Sequence, residues 1–360
     1  MTALADRLAA DTLALIDIAS ESRDEAAILD AIRPRVAQAQ GLRIVDDQDG
    51  VIAALPERRP GVPLVLLAGH VDTVPRAGAS RPGHRDGDVV IGRGAADMKG
   101  AVAVMLALAV DDAGAADLDV GYIFFGREEI TLEESALLPA FDRTPELRET
   151  ALAIVLEPTD NQLEVGCNGN LTALVTVPGR AAHSARPWLG HNAIHAAIEA
   201  LAPIADLPIR DVEIDGLVFR EVVSVTSIAG GIAGNVVPDH VEASVNFRYA
   251  PNRPPADAEA RLRELLGHPA VAIEVLGNGP PGPVHLGHPL VTRLRATGRL
   301  EVRPKQAWTP VAEFGMVGVD AVNLGPGDPR YAHTDDEQVT GTALARVHAI
   351  VSAFLAGEEL

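Results

Sequence analysis

His70 and Asp72 stand two residues apart at the end of the stretch LVLLAGHVDT (64–73), a spacing that puts both side chains on one side of an extended backbone. An imidazole beside a carboxylate, just past an apolar strand, suits a metal ligand and the group that fixes its ring. Further residues of this chemistry follow downstream: Asp97, Glu128, Glu129, Glu157 and His333. Imidazoles and carboxylates without cysteine fit a borderline divalent metal such as zinc. Two such cations ~3.5–4 Å apart commonly share a bridging carboxylate and acidify water, so the expected nucleophile is a metal-bridging hydroxide. Asp97 is the expected bridge, as the N-cap of a helix that would hold its backbone firmly. In the adjacent pair Glu128–Glu129, one carboxylate would bind metal. The other would take a proton from water and return it to a leaving amine.

The elements that must position these residues are short. Leu64–Ala68, bounded by Pro63 and Gly69, has too few apolar residues for a helix and reads as a buried strand. Val89–Ile91, Val120–Phe125, Ala151–Leu156 and Ala321–Leu324 read likewise as strands, and Met98–Val110 as a buried helix. His70, Asp97, Glu128, Glu129, Glu157 and His333 each follow a strand. Ligands of α/β sheets sit outside the carboxyl ends of strands, so strands ending at one edge would gather all six.

Between Glu157 and His333 the rhythm changes. Strands are predicted at Leu171–Val177, Glu221–Ile228, Val241–Arg248 and Val271–Leu276, with helices at Asn192–Leu207 and Ala256–Leu266. That order, β-α-β-β-α-β, is the split βαβ or ferredoxin-like unit. Its flanks, Gly166–Asn170 and the Gly/Pro run at 278–283, are candidate hinges. The expected organisation is an α/β catalytic domain at 1–168 and 283–360, interrupted by an α+β domain at 169–282.

The 360 residues exceed one usual core, and 47% hydrophobic content is ample for two. A net charge of −20 argues against nucleic acid or an anionic membrane surface as a partner. Cys167 is the only cysteine, which excludes an intrachain disulfide and fits a reducing compartment. The first residues lack a basic n-region and a signal cleavage pattern, and the longest apolar run, Ala101–Val110, is far short of a bilayer span. A soluble cytoplasmic protein is expected.

The motifs GHVDTVP (69–75), GRGAADMKG (92–100), Glu128–Glu129, Glu157-Pro-Thr and Ala332-His333-Thr together resemble those of the M20 co-catalytic metallopeptidases. The resemblance runs over nearly the whole chain, and GCNGNL (166–171), AAHSARPWLGHNAIH (181–195) and GGIAGNVVPD (230–239) point to the branch that acts on N-succinyl-LL-2,6-diaminopimelate. It implies a mixed-sheet, zinc-peptidase-like domain with helices on both faces, and an inserted dimerisation or lid domain. His70, Asp97 and Glu157 would bind one zinc, and Asp97, Glu129 and His333 the other, with cobalt or manganese as possible substitutes. Glu128 would be the general acid/base, and Asp72 would orient His70. A homodimer through the inserted domain is implied, with His183 reaching the partner's active site to stabilise the oxyanion. Asn235, Arg248 and Thr309 would contact the substrate, a small N-acyl amino acid.

One loop departs from that pattern. Where relatives read roughly Thr-Asp-x-x-Arg-Phe, this chain has Thr309-Pro310-Val311-Ala312-Glu313-Phe314, which is expected to reverse the charge on a loop near the substrate. The departure keeps open another N-acyl amino-acid hydrolase, such as an acetylornithine deacetylase or an aminoacylase. A non-catalytic binder of amino acids or peptides on the same scaffold would call for a broken ligand set, and here every position is filled. Other candidates read as structural. Thr131 and Glu134 form a capping-box pattern, and His191 and His195 lack the Glu of a zincin helix. Cys167 lacks a nucleophile signature, and His84, His240, His268, His285, His288 and His348 repeat no site.

Overall fold

The computed structural model describes residues 2–75, 82–111, 117–267, 271–358 and 360; His268 lies outside them. The chain divides into two units. The first is Met1–Gly166, His285–Arg303 and Thr309–Leu360; the second is Cys167–Val284 with Pro304–Trp308. The sequence reading closed the inserted segment at 282, whereas Pro304–Trp308 returns to it. There Gln306 accepts the N–H of Arg220 and donates to the carbonyl of Val218, both at 2.9 Å.

In chain order the first unit opens with α1 (Thr2–Ile16), α2 (Ala26–Gln38), β1 (Leu42–Gln48), β2 (Val51–Pro56) and β3 (Leu64–His70). β4 (His84–Asp86), β5 (Val89–Ile91), α3 (Gly100–Asp111), β6 (Asp119–Phe125), α4 (Leu137–Arg143), β7 (Thr150–Val155) and β8 (Leu163–Val165) follow. The second unit holds β9 (Gly169–Pro178), α5 (Ala193–Ala205), β10 (Arg210–Ile214), β11 (Leu217–Gly230), β12 (His240–Tyr249), α6 (Pro255–Leu265) and β13 (Ala272–Gly279). The chain then returns through α7 (Pro289–Gly298), β14 (Val302–Pro304), α8 (Val311–Met316), β15 (Ala321–Asn323), β16 (Gln338–Thr340) and α9 (Gly341–Ala356).

Eight strands build a mixed sheet in the order β1-β2-β6-β3-β7-β15-β8-β14. At its centre β6, β3, β7 and β15 run parallel. β3 is buried along its whole length, which is why it reads as a continuous apolar run rather than an alternation. Leu64, Leu66 and Ala68 face a core shared with Phe141 of α4 and with Val311 and Phe314 of α8. Gly69 points the opposite way, where an added Cβ would lie 2.8 Å from both Met98 and Met105, so α3 covers that face closely. The first unit is thus an α/β layer structure with helices on both sides of a mixed sheet.

The start of α3 differs from expectation. Ala95–Lys99 makes a wide turn in which Asp97 (φ −127°, ψ 93°) and Met98 (φ −134°, ψ 35°) are not helical, and the Asp97–Met98 peptide is cis. The helix begins only at Gly100, so Asp97 is not its N-cap.

The second unit is an antiparallel sheet in the order β10-β11-β12-β9-β13, with Ala197, Leu201 and Leu262 of its helices packed on Val175 and Val245. Without β10 this is the ferredoxin-like order. β10 was not foreseen; it joins β11 through Asp215-Gly216, both at positive φ (51° and 78°), as Asp-Gly hairpin turns require. Beyond Glu221, β10 no longer pairs with β11, and Val225, Ile228 and the nearby Ile232 are exposed.

Candidate metal centre

The parallel strands decide the geometry. His70 ends β3 level with Phe125 of β6, and Ala68 is level with Val155 of β7. Glu128 and Glu129 leave the end of β6, Glu157 the end of β7, and the chain leading to His333 the end of β15. Asp97 enters from the turn before α3. All six belong to the first unit.

That convergence needs close backbone approach. A Cβ at Gly325 would lie 2.2 Å from the carbonyl of Leu156, and one at Gly327 2.4 Å from that of Ala96. The Gly325-Pro326-Gly327 loop can therefore press against the segments bearing Glu157 and Asp97. Thr159 locks it further, its hydroxyl accepting the N–H of Gly325 at 3.0 Å.

His70 is fixed from behind. Its Nδ1 lies 3.1 Å from the Asp72 main-chain carbonyl and 3.5 Å from Asp72 Oδ1. Asp72 thus meets the ring mainly through its backbone, and its carboxylate has other partners. Oδ1 accepts the N–H of Glu128 and Oδ2 the N–H of Glu129, both at 3.1 Å, while Ser22 donates its hydroxyl to Oδ2 at 2.7 Å. Burial opposes the Asp72 charge, yet His70 and Ser22 hold its carboxyl below the usual range.

With Nδ1–H engaged, Nε2 of His70 faces Asp97 Oδ1 at 3.0 Å and Glu157 Oε1 at 3.6 Å. The second oxygen of Asp97 faces the other imidazole: His333 Nε2 is 3.5 Å from Asp97 Oδ2 and 3.0 Å from Glu129 Oε1. His333 reaches this place from a left-handed backbone (φ 63°), and Arg127, just before the acidic pair, has the same conformation (φ 60°). Ligand atoms of His70, Asp97 and Glu129 lie within 4.8 Å of one another, as do those of His70, Glu128 and Glu157.

The charges crowd. Burial, then the charge of Glu157, pushes Glu128 well above the usual carboxylate range, and burial raises Glu129. Burial disfavours a charged His70, but Asp72 and Asp97 raise it well above an ordinary histidine; Asp97 and Glu129 lift His333 to about 10. Although burial works against its charge, Asp97 is held far below its usual value by His333 and His70. An imidazole lone pair against a carboxylate oxygen is repulsive unless a proton or a cation stands between them. Donors ~2.1 Å from a tetrahedral ion lie about 3.4 Å apart, so the contacts here are at the spacing of a shared cation. The donor set therefore fits divalent metal with nitrogen and oxygen ligands.

The other expected site residues divide between the two units. Thr309 is in the first unit, buried at the start of α8, where its carbonyl accepts the N–H of Ala312 at 3.0 Å. His183, Asn235 and Arg248 belong to the second unit. There the Asn235 carbonyl accepts the N–H of Ser184 at 2.9 Å, which brings His183 and Asn235 onto neighbouring stretches, both exposed. Arg248 is half-buried on β12; its Nε donates to Asn246 Oδ1 at 2.9 Å, and among the described residues no carboxylate pairs with it.

Two expectations are corrected. Glu313 does not place a negative charge on an open loop. It is fully buried, with Oε1 accepting the Ser135 hydroxyl at 2.5 Å and Oε2 without a hydrogen-bond partner among the described residues, and burial pushes it up to about 7. Thr131 makes no side-chain cap; Glu134 instead receives two Arg23 N–H groups at 2.7 Å. Sequence reasoning missed Ser22 and Glu337 as partners of the centre, and Ser135 as the partner of Glu313, because nothing local marks a residue whose partner is remote in sequence.

Comparison with known proteins adds to this geometry. A profile of the peptidase dimerisation domain matches residues 165–274, and one of peptidase family M28 matches residues 50–164. The chain is 36% identical to a succinyl-diaminopimelate desuccinylase of Corynebacterium glutamicum, over 96% of this chain and 95% of the other. It is 39% identical to a Mycobacterium tuberculosis protein named for the same activity, over 96% and 97%. An M20 family metallo-carboxypeptidase from Sulfolobus solfataricus has a similar fold, with a TM-score of 0.76 at 17% identity over 97% of this chain and 98% of that one.

Proposed function

Because this chain belongs to the M20 family of metallopeptidases and is a metallohydrolase acting on amides, we propose that it hydrolyses N-succinyl-LL-2,6-diaminopimelate. The products are succinate and LL-2,6-diaminopimelate, for diaminopimelate and lysine synthesis in the cytoplasm, with two zinc ions as cofactor. The names of the two relatives support the substrate. One observation carries the chemistry: the two oxygens of Asp97 face different imidazoles, His70 at 3.0 Å and His333 at 3.5 Å, as a carboxylate shared by two cations would.

His70, Asp97 and Glu157 would hold one ion, and Asp97, Glu129 and His333 the other. When bound, the ions polarise the scissile carbonyl and acidify water. Glu128 takes the proton of the attacking water at a carboxylate oxygen and delivers it to the amide nitrogen as the C–N bond breaks. Its displacement toward a higher pKa by burial and Glu157 suits a group that must hold and release a proton. Asp72 keeps Glu128 and Glu129 in register through their N–H groups.

Arg248, half-buried and with no carboxylate partner among the described residues, is read as a fork for a substrate carboxylate, with Asn235 and Thr309 as further contacts. His183 is read as the oxyanion donor to the partner's site in a homodimer. The open edge of β11 with its exposed Val225 and Ile228 supports such pairing. Among the described residues no helix is long and apolar enough to cross a membrane.

Metal content measured with turnover on succinylated, acetylated and unmodified diamino diacids tests the reading. The expected result is about two zinc ions per chain, succinate release, and loss of turnover on chelation. Glu128→Ala is expected to keep its metal and lose turnover by about 10²–10⁴-fold. Acetate release in place of succinate favours the other N-acyl amino-acid hydrolases, which Pro310 and Glu313 keep open. An unaltered Glu128→Ala variant overturns the mechanism.

A further inference from the structure

Asp97 lies outside any regular element, so something other than a helix must hold it. The peptide N–H groups of Ala96 and Asp97 both point at Glu337 Oε1, at 3.2 and 3.0 Å. The other oxygen, Oε2, accepts from Arg93 Nη1 at 3.0 Å, and the two side chains are 2% and 9% exposed. The Glu337 carbonyl accepts the N–H of Gly92 at 2.9 Å, and the next residues pair with β5 as β16. Glu337 thus grips the chain on both sides of the bend from β5 to Asp97. It is also four residues beyond His333, so one short segment carries an imidazole of the centre and the anchor of its shared carboxylate.

We infer that Glu337, braced by Arg93, is the positioning residue of the metal centre, setting the backbone of Asp97 so that its two oxygens face His70 and His333. The inference rests on the reading of Asp97 as a shared ligand. The physical reason is direct. An extended residue with a free side chain can turn its carboxylate many ways, and a two-ion site needs one of them. Two N–H bonds to a buried, charged acceptor fix the peptide plane from which Cβ of Asp97 departs. Loss of such a supporting partner costs metal sites about tenfold to a hundredfold in affinity.

The test is zinc affinity of the full-length protein by competition with a chelator, together with the visible spectrum of the cobalt-substituted form. Glu337→Leu fills the space without an acceptor; it is expected to bind zinc at least tenfold more weakly and to alter the cobalt spectrum. Glu337→Gln restores an acceptor oxygen and is expected to recover most of both. A merely structural role would lower thermal stability of the Leu variant while zinc affinity stays within twofold of wild type, and that result overturns the inference. So does a Gln variant no better than Leu. Should the Leu variant not fold, Glu337→Asp decides by the same measurement: weakened binding supports the role, and wild-type binding removes it. If wild type itself binds no divalent ion, the reading of the centre fails; if wild type binds two and the Leu variant binds them as tightly, only the role of Glu337 fails.

Discussion

Asp72 accepts the backbone N–H of Glu128 at 3.1 Å, and its second oxygen does the same for Glu129. A carboxylate read as the orienting partner of one histidine therefore also sets the loop that carries the proposed proton carrier and a proposed ligand. The imidazole is held chiefly by the Asp72 carbonyl, which leaves the carboxylate available for that second task.

The consequence can be measured. Asp72→Asn keeps the volume but turns one acceptor into a donor, which cannot receive an amide N–H. Turnover is expected to fall about tenfold to a hundredfold, the usual cost of losing a supporting partner in a metal site. Steady-state kinetics with parallel metal analysis checks it, and activity within twofold of wild type would remove Asp72 from this role.

Glu313 is expected to leave a mark on stability rather than on the substrate. Its carboxyl sits at about 7 in the folded protein against 4.5 in an open chain, raised by burial. The neutral form is thus the one the fold favours. Its contribution is complete below pH ~4.5, shrinks as pH rises through ~7, and is then lost. Glu313→Gln, which stays neutral, is expected to match wild type at pH 4 and to be more stable at pH 8 by about 3 kcal/mol. Urea unfolding of both proteins in the same metal state checks this; parallel stability curves would show that Glu313 does not titrate there.

The free edge of β11 offers a test of assembly. Ile228 is 58% exposed on a stretch of β11 that, among the described residues, has no strand paired to it on one side. A lysine there adds charge where strand-to-strand pairing would bury it. Ile228→Lys is expected to shift the molar mass by light scattering from twice 37.7 kDa to 37.7 kDa, with the circular dichroism unchanged. A wild-type protein that is already monomeric, or a variant that stays paired, refutes the homodimer through this edge.

Much of the centre was legible because its parts obey local rules. Short apolar runs stopped by Gly or Pro marked β3, β6, β7 and β15, and the imidazoles and carboxylates stood just beyond them. The order of strands was not legible. That β15 lies between β7 and β8 depends on pairing between segments on either side of the inserted unit. For the same reason Ser22, Ser135 and Glu337 carried no signal: each acts on a residue remote in sequence. The helix starts later than the sequence suggests, because Asp before an apolar run is the usual mark of an N-cap, whereas here the chain bends at Asp97 and the helix begins at Gly100. β10 had a readable turn, Asp215-Gly216, but its strand residues are mostly exposed and offer little apolar pattern.

The place of β15 also bears on how the molecule is made. β7 and β8 are translated close together, yet the strand that lies between them in the sheet, β15, emerges only after the whole inserted unit. During synthesis the inserted unit can complete its own sheet strands β9–β13 while the first remains unfinished with a gap at its centre. His333 follows β15, so the donor set closes in the final stretch of translation, and a ribosome-bound chain truncated before that point should take up fewer ions than the released protein.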